Sequence, residues 1–514
     1  MPAYCLFAME GAIMKLALLS VTDKRGLVGF AARLQQLGYG LISTGGTLDA
    51  LTAAGIQAQS VESLTNYPET FDGRVKTLHP AIHGGILYRR DNPDDLQIKN
   101  ELDIPSIDLV CVNLYAFKDT VAKGQPFQTV MEAIDIGGPT LIRGAAKNHA
   151  HVTVVTDPDD YNLVADLLEQ EALTAEVRRS LAGKAFRLIA DYDLAISSYF
   201  HPGEEAGLLL VKEKDLPYGE NPHQRAALYR KEGVTAGLLD FRQLQGKALS
   251  YNNYNDAYAA MELLADFRDE PGFCGAIKHG TLCSAAVGAT ALEAYEKTYA
   301  GDPLSIFGGI VAFRGIVDRE TAEELSKTFL EIILAPAYTK EAQDILKRKV
   351  NLRVLEYAAL TFSSPQMIRD LDGKMLIQER DLEEHSTLDV VTDKEPSLQE
   401  MEDLLFANRI AKNMKSNAIV LVRDQAVLAL SGGQTARIFA LKSALLNHQG
   451  KDFKGAVMAS DAFFPFPDTV DSAGEAGVAA IIQPGGSRND GASISRCNEL
   501  GISMVFTGRR HFKH

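Results

Sequence analysis

The eight residues Gly73-Arg74-Val75-Lys76-Thr77-Leu78-His79-Pro80 hold two cations, a hydroxyl and an imidazole between a glycine and a proline. Arg74 offers a planar fork that grips a phosphate through two hydrogen bonds, Lys76 a point charge, Thr77 a hydroxyl donor and His79 a group that titrates near neutrality. Such a run handles anions and protons. Further along lie Asn113-Leu114-Tyr115, Ile134-Asp135-Ile136-Gly137-Gly138 and Lys147-Asn148-His149, each a polar group beside an apolar run. Singly, Tyr115 reads as a core tyrosine with a satisfied hydroxyl and Asp135 as a helix cap or turn residue. Together they read differently. Glycines behind an aspartate let backbone amides approach a ligand, and two lysines with a tyrosine can polarise a carbonyl and move protons. A second group, Lys278-His279, closes the apolar run Gly275-Ala276-Ile277 and pairs a usable base with an ammonium.

The elements that must position these groups alternate in type. Lys15 to Ser20 reads as a buried strand, and Leu27, Phe30, Ala31, Leu34 and Leu37 then recur at helical spacing before Gly38. Leu41-Ile42-Ser43 runs into Thr44-Gly45-Gly46-Thr47 and another helical stretch, and apolar strands follow at Leu109 to Asn113 and Val152 to Thr156. Alternation of this kind predicts an α/β fold with a parallel sheet flanked by helices. Ligands in such sheets sit beyond the carboxyl ends of the strands, which is where Ser20 to Lys24 and Thr44 to Thr47 fall. A long helical pattern from about Thr174 to Tyr199 ends at His201-Pro202-Gly203-Glu204-Glu205, a linker that sets the domain boundaries at 14–203 and 204–514. Beyond it, Gly275 to Lys278, Gly309 to Phe313, Ala418 to Val422, Ala426 to Leu430 and Ala479 to Gln483 again read as strands between helices, in a stretch long enough for two similar halves.

Composition narrows the function. A chain of 514 residues exceeds one core, and 46% hydrophobic with 23% charged residues is an ordinary globular mix. The net charge of −15 repels nucleic acid and anionic membranes, so basic runs are local sites. Five cysteines without Cys-x-x-Cys spacing fit neither a disulfide framework nor a cysteine zinc site, and favour a reducing, cytoplasmic setting. The residues ahead of Met14 show no signal-peptide pattern, and no apolar run approaches a bilayer span. Neither the zinc-deaminase motifs nor a Gly-x-x-x-x-Gly-Lys loop occurs, so no metal, ATP hydrolysis or dinucleotide cofactor is expected.

The motifs Ser20-Val-Thr-Asp-Lys24, Ser43-Thr-Gly-Gly-Thr47, Gly73 to Pro80, Ile134 to Gly138 and Ala145-Ala-Lys-Asn-His149 resemble the inosine monophosphate (IMP) cyclohydrolase half of a bifunctional purine-biosynthesis family. Tyr218-Gly-Glu-Asn-Pro-His-Gln224, Lys278-His279, Phe307-Gly-Gly309, Lys415-Ser-Asn417, Ser460-Asp-Ala-Phe-Phe-Pro465 and Gln483-Pro-Gly-Gly486 resemble its aminoimidazole-carboxamide ribonucleotide (AICAR) transformylase half, in family order from about Lys15 onward. The resemblance implies a methylglyoxal-synthase-like N-terminal domain, a C-terminal part of two cytidine-deaminase-like units, and a homodimer. It implies that Ser20, Lys24, Thr44, Gly46, Thr47, Arg74 and Thr77 hold the phosphate and ribose, that Lys76 and Lys147 stabilise an oxyanion, and that Asp135 with Tyr115 moves protons. In the second half it implies Lys278, His279 and Asn417 as catalytic, Tyr218, Asn253, Glu331 and Arg437 as substrate contacts, and 10-formyltetrahydrofolate as co-substrate.

Three positions depart from the family pattern: Ala116 and Pro217 stand where proline and arginine are usual, and Gly280-Thr281-Leu282-Cys283 replaces an Asn-Pro or Ser-Pro step. Pro217 and the altered loop keep open a cyclohydrolase with a lost or altered transformylase half. A non-catalytic nucleotide-binding regulator is a further reading, opposed by the joint presence of Lys76, Tyr115, Asp135 and Lys147.

Overall fold

A computed structural model describes residues 15–71, 73–204 and 207–514; the expected domain start at Met14 and linker residue Glu205 lie outside them. By its internal contacts the chain divides into two units, the first ending at Leu209 and the second beginning at Leu210. In the first, β1 (Lys15–Ser20), β2 (Tyr39–Ser43), β3 (Gln59–Ser60), β4 (Ile107–Val112) and β5 (Thr153–Val155) form a sheet in the order β3-β2-β1-β4-β5, parallel at every pairing. Helices cover both faces, so the inner strands are near-continuous apolar runs; every residue of β2 is buried. The Leu27–Gln36 helix turns Leu27, Phe30, Ala31 and Leu34 inward, and the Ala175–Phe200 helix starts on Thr174, whose hydroxyl accepts the Val177 amide. The chain builds outward from β1 to β2 and β3 on one side, then to β4 and β5 on the other. That reversal opens a crevice at the carboxyl ends of β1 and β4.

The second unit contributes β6 (Leu210–Leu216), β7 (Ala226–Lys231), β8 (Phe241–Gln245), β9 (Phe273–Lys278), β10 (Thr281–Val287), β11 (Ile310–Phe313), β12 (Ile332–Ala335), β13 (Arg353–Tyr357), β14 (Gln366–Asp370) and β15 (Met375–Glu379). There follow β16 (Asp389–Val390), β17 (Ile419–Arg423), β18 (Ala426–Ser431), β19 (Val457–Ser460), β20 (Ala480–Gln483) and β21 (Ser503–Phe506). Two pairs, β6-β7 and β14-β15, stand apart; the other strands form one sheet, β16-β21-β20-β19-β17-β18-β10-β9-β11-β12-β13-β8.

That order reads as a mirror about the β18-β10 junction. Each half is an antiparallel hairpin (β9-β10, β17-β18), an antiparallel neighbour (β11, β19), two parallel additions (β12 and β13, β20 and β21) and an antiparallel edge strand (β8, β16). The helix ahead of each hairpin starts with a capping box, Ser250/Asn253 before Tyr251–Asp266 and Ser397/Glu400 before Leu398–Lys412. The two helix ends are joined where buried Lys412 donates to Asp266 at 2.8 Å. These are the two similar halves that the length of the C-terminal stretch allowed.

Candidate active site

The crevice of the first unit is a cavity of about 860 Å³. Ser20, Lys24, Thr44, Gly46, Thr47, Arg74, Lys76, Thr77, Tyr115 and Asp135 all line it. Polar side chains at the strand ends hold its rim together. The Ser20 and Thr44 hydroxyls lie 2.8 Å apart, Thr47 Oγ1 accepts the Val21 amide at 2.9 Å and donates back to the Val21 carbonyl at 3.0 Å, and Asn113 Oδ1 accepts the amides of Thr22 and Asp23.

Two helix N-termini open on this cavity, one at Gly45–Ala53 and one at Gly137–Lys147. The N-cap Thr44 makes no side-chain bond to its helix, so that first turn presents amides and a partial positive charge to the cavity, whereas the first turn of the second helix is capped by Asp135, whose Oδ1 accepts the Gly138 amide. The glycines at the two helix starts answer to different constraints, backbone conformation at Gly45 and close approach at Gly137. A methyl group on Gly45, whose φ is +38°, would stand 3.2 Å from Lys76 Nζ, and one on Gly137 would stand 2.9 Å from Thr77 Oγ1. Lys24, Lys76 and the Gly45 turn thus gather positive charge on one side of the cavity, while the Gly137 and Gly138 amides face Asp135.

Asp135 sits at the mouth of the second helix. Its Oδ1 accepts the Gly138 amide at 2.8 Å, and its own amide donates to Tyr192 Oη at 2.8 Å. Burial raises the carboxyl above its ordinary value, against the amides of Gly138, Tyr115 and Gly137, which favour the charged form. Tyr115 is raised as well, by burial first and then by Asp135, with Lys76 opposing. An acid moved toward neutrality beside an ammonium and a phenol is equipped for proton transfer.

The cations of the opening run are already engaged. Lys76 pairs with Glu69 and Arg74 with Glu132, two carboxylates that the sequence reading passed over because only their spatial partners give them meaning. His79 takes a structural part: its Nδ1 accepts the Ala81 amide at 3.2 Å and caps the Pro80–Leu87 helix. Lys147 is not among the cavity's lining residues. It lies at the far end of the Gly137–Lys147 helix, on a separate open surface with Arg143, His149 and Arg179.

In the second unit Lys278 ends β9 and His279 with Gly280 makes the two-residue turn into β10, at φ of +55° and +64°. Lys278 Nζ donates to the Phe307 carbonyl at 2.6 Å, ahead of Gly308-Gly309. Glu331 precedes β12 and binds Arg353 at 2.6 Å, and Asn253 caps its helix through Ser250. The Tyr218 turn is tied to that helix start by Asn252, which donates to the Glu220 carbonyl at 3.2 Å. Asn417 and Arg437 lie in the other half, bonded to each other at 2.7 Å, with buried Arg437 also on Ser460 and Asp461. Following the strand directions from β9 to β17 puts Asn417 at the same edge of the sheet as His279, with no hydrogen bond between them among the described residues.

The relatives decide the family. The methylglyoxal-synthase-like (MGS-like) domain matches residues 26–140, and the AICARFT/IMPCHase bienzyme matches residues 145–447. The bifunctional purine biosynthesis protein PurH of Clostridioides difficile (strain 630) is 48% identical over 97% of this chain and 100% of its own. The PurH proteins of Caldicellulosiruptor bescii and Thermoanaerobacter sp. are 47% and 46% identical, again over 97% of this chain and all of theirs. The chain belongs to the AICARFT/IMPCHase bienzyme family. The crystal structure of ForH matches 37% of this chain and 100% of its own at 39% identity, with a TM-score of 0.34.

As an AICARFT/IMPCHase bienzyme the chain is an AICAR formyltransferase and an IMP cyclohydrolase of purine biosynthesis. Lys278, His279, Asn417 and Arg437 fall within the bienzyme match, and Lys76, Tyr115 and Asp135 within the MGS-like one. Among the described residues no helix is long and apolar enough to cross a membrane.

Proposed function

We propose that the first-unit cavity closes the purine ring and that the Lys278-His279 turn carries out formyl transfer from 10-formyltetrahydrofolate, in a cytoplasmic homodimer. The observation that carries the ring-closure assignment is the gathering of Lys76, Tyr115 and Asp135 in one cavity with the open N-terminus of the Gly45–Ala53 helix.

In that cavity the phosphate of formylated AICAR (FAICAR) lies on the Gly45 amides, Lys24 and Arg74, with the Ser20, Thr44, Thr47 and Thr77 hydroxyls nearby; Arg74 exchanges Glu132 for the phosphate. The carboxamide nitrogen attacks the formyl carbon within the same molecule, so holding the two groups together supplies much of the acceleration. Asp135 takes the proton that the attacking carboxamide nitrogen loses, and the former formyl oxygen is protonated to a hydroxyl; Tyr115 then protonates that hydroxyl, which leaves as water as the formamide nitrogen gives up its proton and the ring C=N bond forms. Charge developing on the formyl oxygen meets Lys76. Lys147, which the family resemblance pairs with Lys76 at the oxyanion, lies outside this cavity within the chain, on an open surface beside Arg143 and His149.

In the second unit the amino nitrogen of AICAR attacks the formyl carbon of the folate. His279 accepts its proton, Lys278 stabilises the oxyanion, and tetrahydrofolate leaves through its nitrogen, which regains a proton. Asn417, Asn253, Glu331, Arg437 and Tyr218 hold the substrates.

The test supplies AICAR with 10-formyltetrahydrofolate and, separately, FAICAR, and follows IMP. Product from both supports the proposal; product from FAICAR alone shows that the transformylase half is lost or altered, and product from neither removes both assignments.

A further inference from the structure

The two halves of the second unit carry the same device at the same place. In the first, Asp256 lies on the Tyr251–Asp266 helix six residues beyond its cap Ser250, and its Oδ1 accepts the Gly280 amide at 2.6 Å. In the second, Asp403 lies on the Leu398–Lys412 helix six residues beyond its cap Ser397, and accepts the amides of Asp424 at 2.9 Å and Gln425 at 2.7 Å. Each aspartate thus staples a two-residue hairpin turn, His279-Gly280 between β9 and β10 and Asp424-Gln425 between β17 and β18. All four turn residues have positive φ: +55° and +64° in the first turn, +54° and +51° in the second.

Two positive φ values match the right-handed twist of a hairpin, but the left-handed region is unfavourable for any residue with a Cβ. His279, Asp424 and Gln425 persist there because something outside the turn holds it. In the second half the staple serves no chemistry, since Asp424 and Gln425 face no proposed reaction. In the first half the same staple holds the residue proposed as the base, beside Lys278, and His279 is exposed at the end of the sheet. The half-buried Asp256 carboxylate also interacts with the His279 amide and with the imidazole's charge, and has Glu331 as its acidic neighbour.

We propose that Asp256 is a positioning residue for His279 in formyl transfer, with its carboxylate fixing the left-handed turn that holds the imidazole beside Lys278. This rests on the assignment of His279 as the base. The internal repeat supplies its own control, because Asp403 performs the stapling without the chemistry.

The experiment compares Asp256→Ala, Asp256→Asn, Asp403→Asn and His279→Ala in the full-length protein, with formyl transfer and closure of supplied FAICAR measured separately and unfolding followed by heat. Asp256→Ala should lower kcat for formyl transfer by about 10²-fold, the scale of a misplaced reacting group, with KM for AICAR within about threefold of the parent. Asp256→Asn keeps one acceptor oxygen and should fall between the two. Asp403→Asn should lower the unfolding temperature about as much as Asp256→Asn and leave kcat within about twofold. Ring closure should be unchanged throughout. Equal kcat in Asp256→Asn and Asp403→Asn, or an Asp256→Ala defect confined to KM, overturns the inference. Persistence of formyl transfer in His279→Ala overturns the assignment of the base itself, a separate result.

Discussion

The carboxylate of Asp135 and the amide of Gly138 are locked together: Oδ1 accepts the amide at 2.8 Å, and a methyl group added to Gly138 would stand 2.5 Å from Oδ2 and 2.9 Å from Leu114. No side chain fits there without moving the carboxylate. Gly138→Ala should therefore lower kcat for ring closure by roughly 10²-fold, the cost of about 1 Å of misplacement. Formyl transfer should be untouched. Parallel assays from FAICAR and from AICAR separate the two.

The price of a tuned acid is stability. Burial raises the Asp135 carboxyl above its unfolded value, so the protonated form is favoured on folding. The associated stabilisation is fully present below the unfolded value of 3.8 and is lost as pH rises through the folded value. At neutral pH the ionised carboxylate is a net burden. Asp135→Asn should unfold at a higher temperature than the parent at pH 7, with the gain shrinking as pH falls toward 4, while ring closure is abolished. Melting curves across that range check the sign.

Glu132 competes with substrate for Arg74. The pair is exposed, and such pairs contribute about 0–1 kcal/mol. Weakening that pair with Glu132→Gln should lower KM for FAICAR by up to about fivefold, the equivalent of that energy, and barely change the unfolding temperature. Steady-state kinetics at low salt shows the effect best, since added salt screens an exposed charge.

His79 should behave as a cap. His79→Ala should cost about 1 kcal/mol of stability, and His79→Asn, which retains a capping acceptor, should recover most of it. Ring-closure kcat should stay within about threefold in both, because a residue spent on the Ala81 amide is not relaying protons. A denaturant series with a parallel FAICAR assay distinguishes cap from base.

Much of the first unit was legible in the sequence because its strands are buried on both faces and so appear as unbroken apolar runs. The expected strand from Lys15 to Ser20 is β1 to the residue, and the helix expected from Thr174 begins on that threonine. β10 was missed, since Thr281-Leu282-Cys283-Ser284-Ala285-Ala286-Val287 owes its place to the strands beside it and not to bulk or alternation. The exposed pair β14-β15 was missed too, although Asp372-Gly373 in its connection, with both φ values positive, is a hairpin signal. In the cavity, residue type announced the cations and the glycines. It did not announce Glu69 or Glu132, which matter through what they meet in space, and it grouped Lys147 with residues lining a cavity that Lys147 does not line within the chain.

The junction between β10 and β18 is the thinnest seam in the second unit's large sheet, with a single registered pair, Ala286 opposite Ala426. On either side each half supplies its own hairpin, parallel strands and edge strand. Two copies of one half, meeting antiparallel along their hairpin edges, would generate the same order of strands. One polypeptide therefore contains the plan of a two-fold dimer, and tethering the copies frees them to diverge: one turn can acquire a histidine while its counterpart keeps an ordinary aspartate and glutamine.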